Sequence, residues 1–209
     1  MWRARDCELR VYSQSEAISC LQSALSPPND SAQITVRPQL RMLGESSMRS
    51  LVRTFGVYLN HTMDILTYKN LKKNENATFE VDLHDFSLLY KQLHRPIDAA
   101  SRGCMLPRAR SQFEWLVEDI PARSIIIFSI GIPGLLLCGS LDAVSFYLED
   151  VIEYFIEAMP KLIHKQVQLF YLKVPMTGHH SCWAGLTSDR VDAAHQMALR
   201  AAERIGANE

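Results

Sequence analysis

The stretch that most constrains the fold of this chain is TFEVDLHDFSLLYKQL, at residues 78–93. Its first half alternates apolar and acidic side chains, a period of two that is typical of a half-buried strand. From Asp85, which is placed to cap a first turn, the apolar residues recur at helical spacing: Phe86, Leu89, Tyr90 and Leu93. A helix cannot continue through Pro96, because proline lacks the backbone donor. The stretch therefore predicts a strand that runs directly into a short helix over 86–93.

The same strand-to-helix order occurs near the N-terminus. ELRVY at 8–12 has the composition of a strand, and SEAISCLQSAL at 15–25 places Ile18, Leu21 and Leu25 on one helical face. Two copies of one unit, separated by strand-forming segments, indicate a fold built by repetition. We therefore expect an α+β protein made of repeated strand-helix-strand modules, with an ordinary mixed domain as the alternative.

Five other segments have a clear pattern, and a sixth is ambiguous. Strand formers occupy 40–43, 124–130 and 167–174, whereas 151–159 and 188–205 have the apolar spacing of helices. A proline followed by a glycine at 133–134 predicts a turn that pairs 124–130 with 135–138 as a buried hairpin. Residues 45–66 are ambiguous because their periodicity favours a helix, whereas their strand formers, Gly56 and the repeat favour a strand.

The composition is ordinary for a globular protein, with 47% hydrophobic and 22% charged residues. The formal net charge is −1, but the charges are unevenly distributed. Residues 37–110 carry 12 Lys and Arg against 7 Asp and Glu, a net charge of +5, whereas residues 114–157 carry 1 Arg against 8 acids, a net charge of −7. This polarity favours a surface that docks a partner or nucleic acid, with simple solvated faces as the alternative.

Targeting and redox signals point to an intracellular location. Residues 1–10 mix arginines with acids and precede no apolar run, so we expect neither a signal peptide nor a mitochondrial presequence. The longest apolar run, at 124–138, is too short to cross a bilayer, so we expect no membrane partner. The five cysteines form no C-x-x-C pair, which favours reduced thiols. These signals leave both the cytoplasm and the nucleus open.

Two clusters are candidates for chemistry. His179, His180 and Cys182 have metal-binding side chains, but adjacent histidines are awkward joint ligands and no second pair lies at a standard zinc spacing. Asp82, His84 and Asp85 suit acid-base work, but no nucleophile elbow accompanies them. The chain also has no phosphate-binding glycine loop of either common type. We therefore expect no catalytic residue, no metal and no cofactor.

Several segments resemble the sliding-clamp family, and in particular the Hus-type subunit of the heterotrimeric nine-one-one DNA-damage checkpoint clamp. MWRAR and AQITVRP look like the start and the second strand of that subunit. ENATFEVDLHDFSLLYKQL resembles the segment in which a strand enters a helix near the end of its first module. ARSIIIFSIGIPGLLLCG and VSFYLEDVIEYFIEAMPKLIHKQVQLFYLKV are similar to a hairpin and a strand-helix-strand unit of its second module. The resemblance covers residues 1–175 and implies a location in the nucleus, with the cytoplasm as the alternative.

The resemblance implies antiparallel sheets in a first clamp-like module at 1–110 and a shortened second module at 111–175, followed by a divergent helical tail at 176–209. It implies a non-enzymatic subunit that encircles double-stranded DNA with two other checkpoint-clamp subunits, is placed there by a clamp loader, and recruits signalling and repair factors. Helices in such a ring contact phosphates through basic side chains. The residues expected to face DNA are Lys91, Arg95, Lys161 and Lys165.

Two other functions are alternatives to the clamp. A structural subunit of another large intracellular assembly would use the same polarised charge. A hydrolase or metal protein would use His84 or the cluster at 179–182.

Overall fold

A computed structural model describes residues 13–25, 36–58, 78–82, 86–93, 109–130, 140–173 and 188–207. Five helices and five strands lie within these ranges. In chain order they are α1 (Gln14–Leu25), β1 (Gln39–Gly44), α2 (Ser46–Tyr58), β2 (Thr78–Asp82), β3 (Ser87–Gln92), α3 (Ala109–Val117), β4 (Ile125–Phe128), α4 (Leu141–His164), β5 (Gln168–Tyr171) and α5 (Ser188–Arg204). No described helix has the length and apolar character needed to cross a membrane.

The five strands form one mixed sheet in the order β2-β3-β1-β4-β5. β3, β1, β4 and β5 are parallel, and only β2 is antiparallel, to β3. Parallel strands must be connected across a face of the sheet, and helices cover both faces of such sheets. The described chain therefore has the layered helix-sheet-helix arrangement of an α/β domain.

Side-chain alternation along the strands produces a separate core on each face of the sheet. Leu40 and Met42 of β1 pack with α1 and α2, whereas Leu43 packs with α3, α4 and α5. The second core is larger, and an aromatic cluster of Phe113, Phe128 and Phe155 joins α3, β4 and α4 within it. Burial of this kind is the main source of folding free energy, at roughly 25 cal/mol per Å² of apolar surface.

The direction of the chain reverses between β1 and β4. From β1 the chain passes through α2 on the first face and through β2 at the end of the strand order, and then reaches β3 on one side of β1. From β3 it passes through α3 on the opposite face, skips β1 and reaches β4. It then continues away from β1 through α4 to β5. β1 and β4 are thus the neighbouring strands at which the winding changes direction.

The predicted helix over 86–93 is wrong, because Ser87–Gln92 forms β3. β3 is the second strand of the sheet, and its face toward α1 and α2 is buried, with Leu88, Tyr90 and Gln92 at most 2% exposed. Leu89 and Lys91, on the other face, are half-buried. The consecutive apolar residues at 88–90 fit such a strand, and with Phe86 and Leu93 they also produce helical spacings. The strand-to-helix unit that suggested a repeat is therefore a β-hairpin of β2 and β3. The other proposed copy lies partly outside the described residues, which begin at Ser13.

The antiparallel sheets expected of a clamp are also wrong for the described residues, since three of the four strand pairings are parallel. The ambiguous segment 45–66 contains α2 over Ser46–Tyr58, so periodicity outweighed the strand formers and Gly56. The clamp resemblance implies that residues 45–66 are mostly strand. The domain boundaries at 110 and 175 stay predictions, although the one sheet takes strands from both sides of residue 110.

Other local predictions are confirmed. β1 contains the predicted strand at 40–43, β4 and β5 fall within the other predicted strands, and α5 matches the predicted C-terminal helix to within one residue. α1 begins with a capping box, in which Ser13 Oγ accepts from the Glu16 amide at 3.3 Å and the Glu16 carboxylate accepts from the Ser13 amide at 2.8 Å. α4 contains the predicted helix at 151–159 and begins earlier, at Leu141, where the Ser140 hydroxyl accepts from the Ala143 amide. The predicted partner strand at 135–138 lies outside the described residues.

Candidate functional site at the carboxyl edge of the sheet

The place where the winding reverses is the first candidate for a site. In open α/β sheets, ligands bind in the crevice beyond the carboxyl ends of the two strands at such a switch point. Here those ends are Gly44 of β1 and Phe128 of β4, which are held in register by the parallel pairing of Leu43 with Phe128. The amide of Ser129 donates to the carbonyl of Leu43 at 2.9 Å and extends this pairing past the last residue of β4.

The backbone at Gly44 is packed too closely for a side chain. A Cβ at this position would overlap Ser129 Oγ and would lie 2.6 Å from Met48 Cβ in the first turn of α2. Glycine therefore lets the chain leave β1 and enter α2 at once, with one residue, Glu45, between the two elements. The result is a tight strand-to-helix turn placed directly at the switch point.

The first turn of α2 presents backbone donors at this edge. The amide of Arg49 donates to the carbonyl of Glu45 at 3.0 Å, which is the first hydrogen bond of the helix and makes Glu45 its N-cap. By the geometry of an α-helix, the three preceding amides, of Ser46, Ser47 and Met48, have no acceptor within the helix. Together with the helix dipole they favour a negative charge or a carbonyl oxygen nearby.

The end of β3 holds this turn from one side. The amide of Leu93 donates to the carbonyl of Gly44 at 2.9 Å. The phenol of Tyr90 lies 3.1 Å from the same carbonyl and 3.4 Å from the carbonyl of Glu45. Arg49 donates through NH1 to Gln92 Oε1 at 2.6 Å, and both side chains are buried. Tyr90, Gln92 and Leu93, at the carboxyl end of β3 and directly after it, therefore all contact the turn or the helix that follows it.

On the opposite face, α3 and α4 contribute a buried polar pair. The phenol of Tyr147 donates to Gln112 Oε1 at 2.5 Å, and the side chains of both residues are buried. Burial raises the pKa of Tyr147 well above its usual range, and the negative charges of Asp150 and Glu45 raise it further. Tyr147 therefore remains protonated and donates to Gln112. Its pKa also depends on the charge of Glu45, which lies in the turn between β1 and α2.

The residues predicted to face DNA do not form a helical surface within the described chain. Lys91 lies on β3, is half-buried and pairs with Leu43 of β1 and Thr78 of β2. Lys161 is exposed in the last turn of α4. Lys165 follows that helix, and its Nζ donates to the carbonyl of Ile120 at 2.5 Å. Arg95 lies outside the described residues.

The two clusters considered for chemistry lie almost entirely outside the described residues, as His84, Asp85, His179, His180 and Cys182 all do. Asp82 is the last residue of β2 and pairs with Ser87, the first residue of β3. Asp82 therefore lies beside the amino-terminal end of β3, whereas Gln92 is at the carboxyl end of that strand. Within the described ranges, no three His, Cys, Asp or Glu are grouped so that they could hold a metal ion.

The turn at Gly44 was not among the features predicted from the sequence. The signal was a glycine, an acid and two serines between a short strand and a helical apolar pattern that begins at Met48. Searches for phosphate loops and for the G-x-S-x-G elbow pass over it, because the chain has Met48 where that motif requires its second glycine. The reason that residue 44 is glycine, its close approach to Ser129, is visible only when β4 is placed beside β1.

Comparison of the chain with protein-family models and with curated protein sequences gives no significant match.

Proposed function

We propose that this chain is an α/β hydrolase of small esters, with its active site at the switch point between β1 and β4 and with Ser46 as the nucleophile. The observation that carries the proposal is the tight turn from β1 through Gly44 and Glu45 into α2, whose first residue is Ser46. A serine on a sharp strand-to-helix turn at the carboxyl edge of a parallel sheet is the arrangement used by nucleophile elbows. This proposal departs from the expectation of a non-enzymatic subunit.

The chemistry suits the donors at this edge. A serine hydroxyl that attacks an ester carbonyl produces a tetrahedral oxyanion, which helix N-terminal amides stabilise. The leaving alcohol takes the proton that a general base has removed from the serine, and water then hydrolyses the acyl-enzyme in the same manner. Loss of one oxyanion donor typically lowers kcat by about 10²–10³. Replacing each of the seven histidines in turn would identify the general base.

The test uses p-nitrophenyl esters of short carboxylic acids together with a fluorophosphonate, which phosphonylates an activated serine with loss of fluoride. We expect the probe to label Ser46, as located by tandem mass spectrometry. Ser46→Ala should abolish both labelling and turnover, with a fall in kcat of at least about 10³-fold. Ser47→Ala is the matched control, because it removes the same hydroxyl one residue later, and it should keep kcat within about tenfold. Absence of both labelling and turnover in the unmodified protein would overturn the proposal.

We keep the checkpoint-clamp subunit as a second proposal, since Lys161 is exposed at the end of α4 where a backbone phosphate could reach it. Co-expression with the two other checkpoint-clamp subunits tests it directly. A stable complex with one copy of each subunit, seen as a ring by electron microscopy, would support the clamp. A chain that elutes alone from size-exclusion chromatography would remove that support.

A further inference from the structure

The turn between β1 and α2 is supported by a third element, β3, which is separated from it in the chain by α2 and β2. β3 pairs in parallel with β1, and this pairing places Gln92 level with Gly44. The contacts that β3 adds beyond this ladder come from Tyr90, Gln92 and Leu93, at its carboxyl end. They reach the carbonyl of Gly44, the carbonyl of Glu45 and the side chain of Arg49.

Two of these contacts are made by side chains where apolar residues would have sufficed for packing. Tyr90 is fully buried in the core on the α1 and α2 face, and a phenylalanine would fill nearly the same volume there. Arg49 is only 4% exposed, and Gln92 only 2%. Burying a guanidinium costs free energy unless hydrogen bonds offset the lost hydration. Packing alone does not account for a phenol and a guanidinium at these two positions.

We propose that the carboxyl end of β3 positions the catalytic turn, with Tyr90 and Arg49 as positioning residues. Tyr90 holds the turn through its backbone carbonyls, and Arg49 ties the first turns of α2 to Gln92. This inference rests on the proposed function, because it assigns residues that orient Ser46. A displacement of about 1 Å of a reacting group can cost about 10² in rate, so loosening the turn should lower kcat while leaving substrate binding nearly unchanged.

The experiment compares variants that remove one polar group each. Tyr90→Phe deletes only the phenol oxygen, and Gln92→Met deletes the acceptor for Arg49 at similar volume. Tyr171→Phe is the matched control, since it deletes a phenol oxygen from another buried strand residue, on β5. We expect Tyr90→Phe and Gln92→Met to lower kcat by about tenfold with KM within about twofold, and Tyr171→Phe to change neither. Arg49→Lys should retain more of kcat than Arg49→Met, because it keeps a charged donor for Gln92.

A second readout does not depend on catalysis. Hydrogen exchange of the Arg49 and Leu93 amides reports the two backbone bonds at the turn, and both should exchange faster in Tyr90→Phe, while α5 amides keep their rates. If kcat in Tyr90→Phe and Gln92→Met stays within twofold, or falls equally in Tyr171→Phe, the inference is overturned. If the unmodified protein has no esterase activity, the proposed function fails separately. Unchanged exchange at both amides would then overturn the positioning role of β3 as well.

Discussion

Two buried arginines of this protein, Arg41 and Arg49, form hydrogen bonds at different places in the fold. Arg41 lies on β1 and donates through NH1 to the carbonyls of Trp115 and Glu118, each at 2.6 Å, at the end of α3. Its guanidinium also lies 5.7 Å from the centre of the Trp115 ring. Arg41 also donates through Nε to Gln39 Oε1 at 2.7 Å. Arg49 donates to Gln92 Oε1, beside the proposed catalytic turn.

The two arginines differ in location, because Arg41 reaches the end of α3 and Arg49 lies beside the turn between β1 and α2. The carbonyls at the end of a helix have no partner within that helix, and Arg41 satisfies them inside the protein. Burial lowers the pKa of Arg41, and the charges of Asp119 and Glu118 act in the opposite direction. An arginine that satisfies backbone carbonyls should matter for folding, whereas one that ties two elements at a reactive turn should matter for rate.

The largest effect on stability should follow from Arg41→Met. The substitution leaves the carbonyls of Trp115 and Glu118 without their buried donor, and each such loss costs about 1–3 kcal/mol. We expect the free energy of unfolding to fall by about 3 kcal/mol in urea denaturation, with kcat of the remaining folded protein unchanged. Arg49→Met should show the reverse balance, with the larger loss in kcat. Equal profiles for the two variants would remove the distinction between them.

Gly44→Ala tests the closeness of β1, β4 and α2 at the turn. The new methyl group would overlap Ser129 Oγ and crowd Met48, so the strand end or the helix must move. Overpacking of this kind costs about 1–3 kcal/mol, and we expect about 2 kcal/mol in urea denaturation. Ser129→Ala in the same chain should recover part of this loss, since it removes the atom in closest conflict. If the two substitutions were simply additive, the close approach would not be the cause.

Gly206→Ala is the control for Gly44→Ala. Gly206 has a φ of 68° after the end of α5, and a Cβ there would meet no atom within 4 Å. Its cost should come from backbone conformation alone, at about 1 kcal/mol. Adding Ser129→Ala to Gly206→Ala should recover nothing.

The pH dependence of stability should come from His195 on α5, which is 6% exposed and whose ring nitrogens have no hydrogen-bond partner among the residues that the structure describes. Burial lowers the pKa of His195, as does the charge of Lys173, while Asp192 acts in the opposite direction. The unfolded chain therefore binds a proton at a higher pH than the folded protein does. Stability is fully present above the ordinary histidine pKa of about 6.5 and is lost as the pH falls toward the lower folded value.

Chemical denaturation between pH 7.5 and 5 measures this effect, and His195→Leu is the comparison. We expect the free energy of unfolding of the unmodified protein to fall across this range by more than that of His195→Leu. Parallel curves for the two proteins would show that His195 does not carry the pH dependence.

Much of the local structure followed from sequence patterns, because those patterns depend on near neighbours. α1 could be predicted from the apolar face of residues 15–25, and β4 from a run of apolar residues bounded by Pro121 and Gly131. β3 could not, since its burial depends on α2 and on the two neighbouring strands. Parallel pairing likewise joins segments that are distant in the chain, so the local sequence does not predict it.

The candidate site was less predictable than the fold. The sequence shows a glycine and two serines between β1 and α2, but not that Ser129 occupies the space where a side chain of residue 44 would lie. Nor does it show that Tyr90 and Gln92 reach this turn, because the predicted helix over 86–93 would have placed them on a different surface. Because residues 86–93 were assigned to a helix, neither the order of the strands nor the contacts of Tyr90 and Gln92 at the turn could be predicted.

An exposed arginine should have the smallest effect and completes the comparison. Arg204 at the end of α5 pairs with Glu149 of α4 at 2.7 Å, and the two side chains are 54% and 52% exposed. Both charges remain hydrated there, so the pair gains little beyond the entropy needed to order it, and Arg204→Met should cost about 0.5 kcal/mol or less. Raising the salt concentration to about 1 M should reduce even this cost, because screening acts within about 3 Å. The cost of Arg41→Met should not change with salt, since the carbonyls that it leaves unpaired are uncharged. A salt-sensitive Arg41→Met would mean that Asp119 and Glu118, rather than the end of α3, determine what Arg41 contributes.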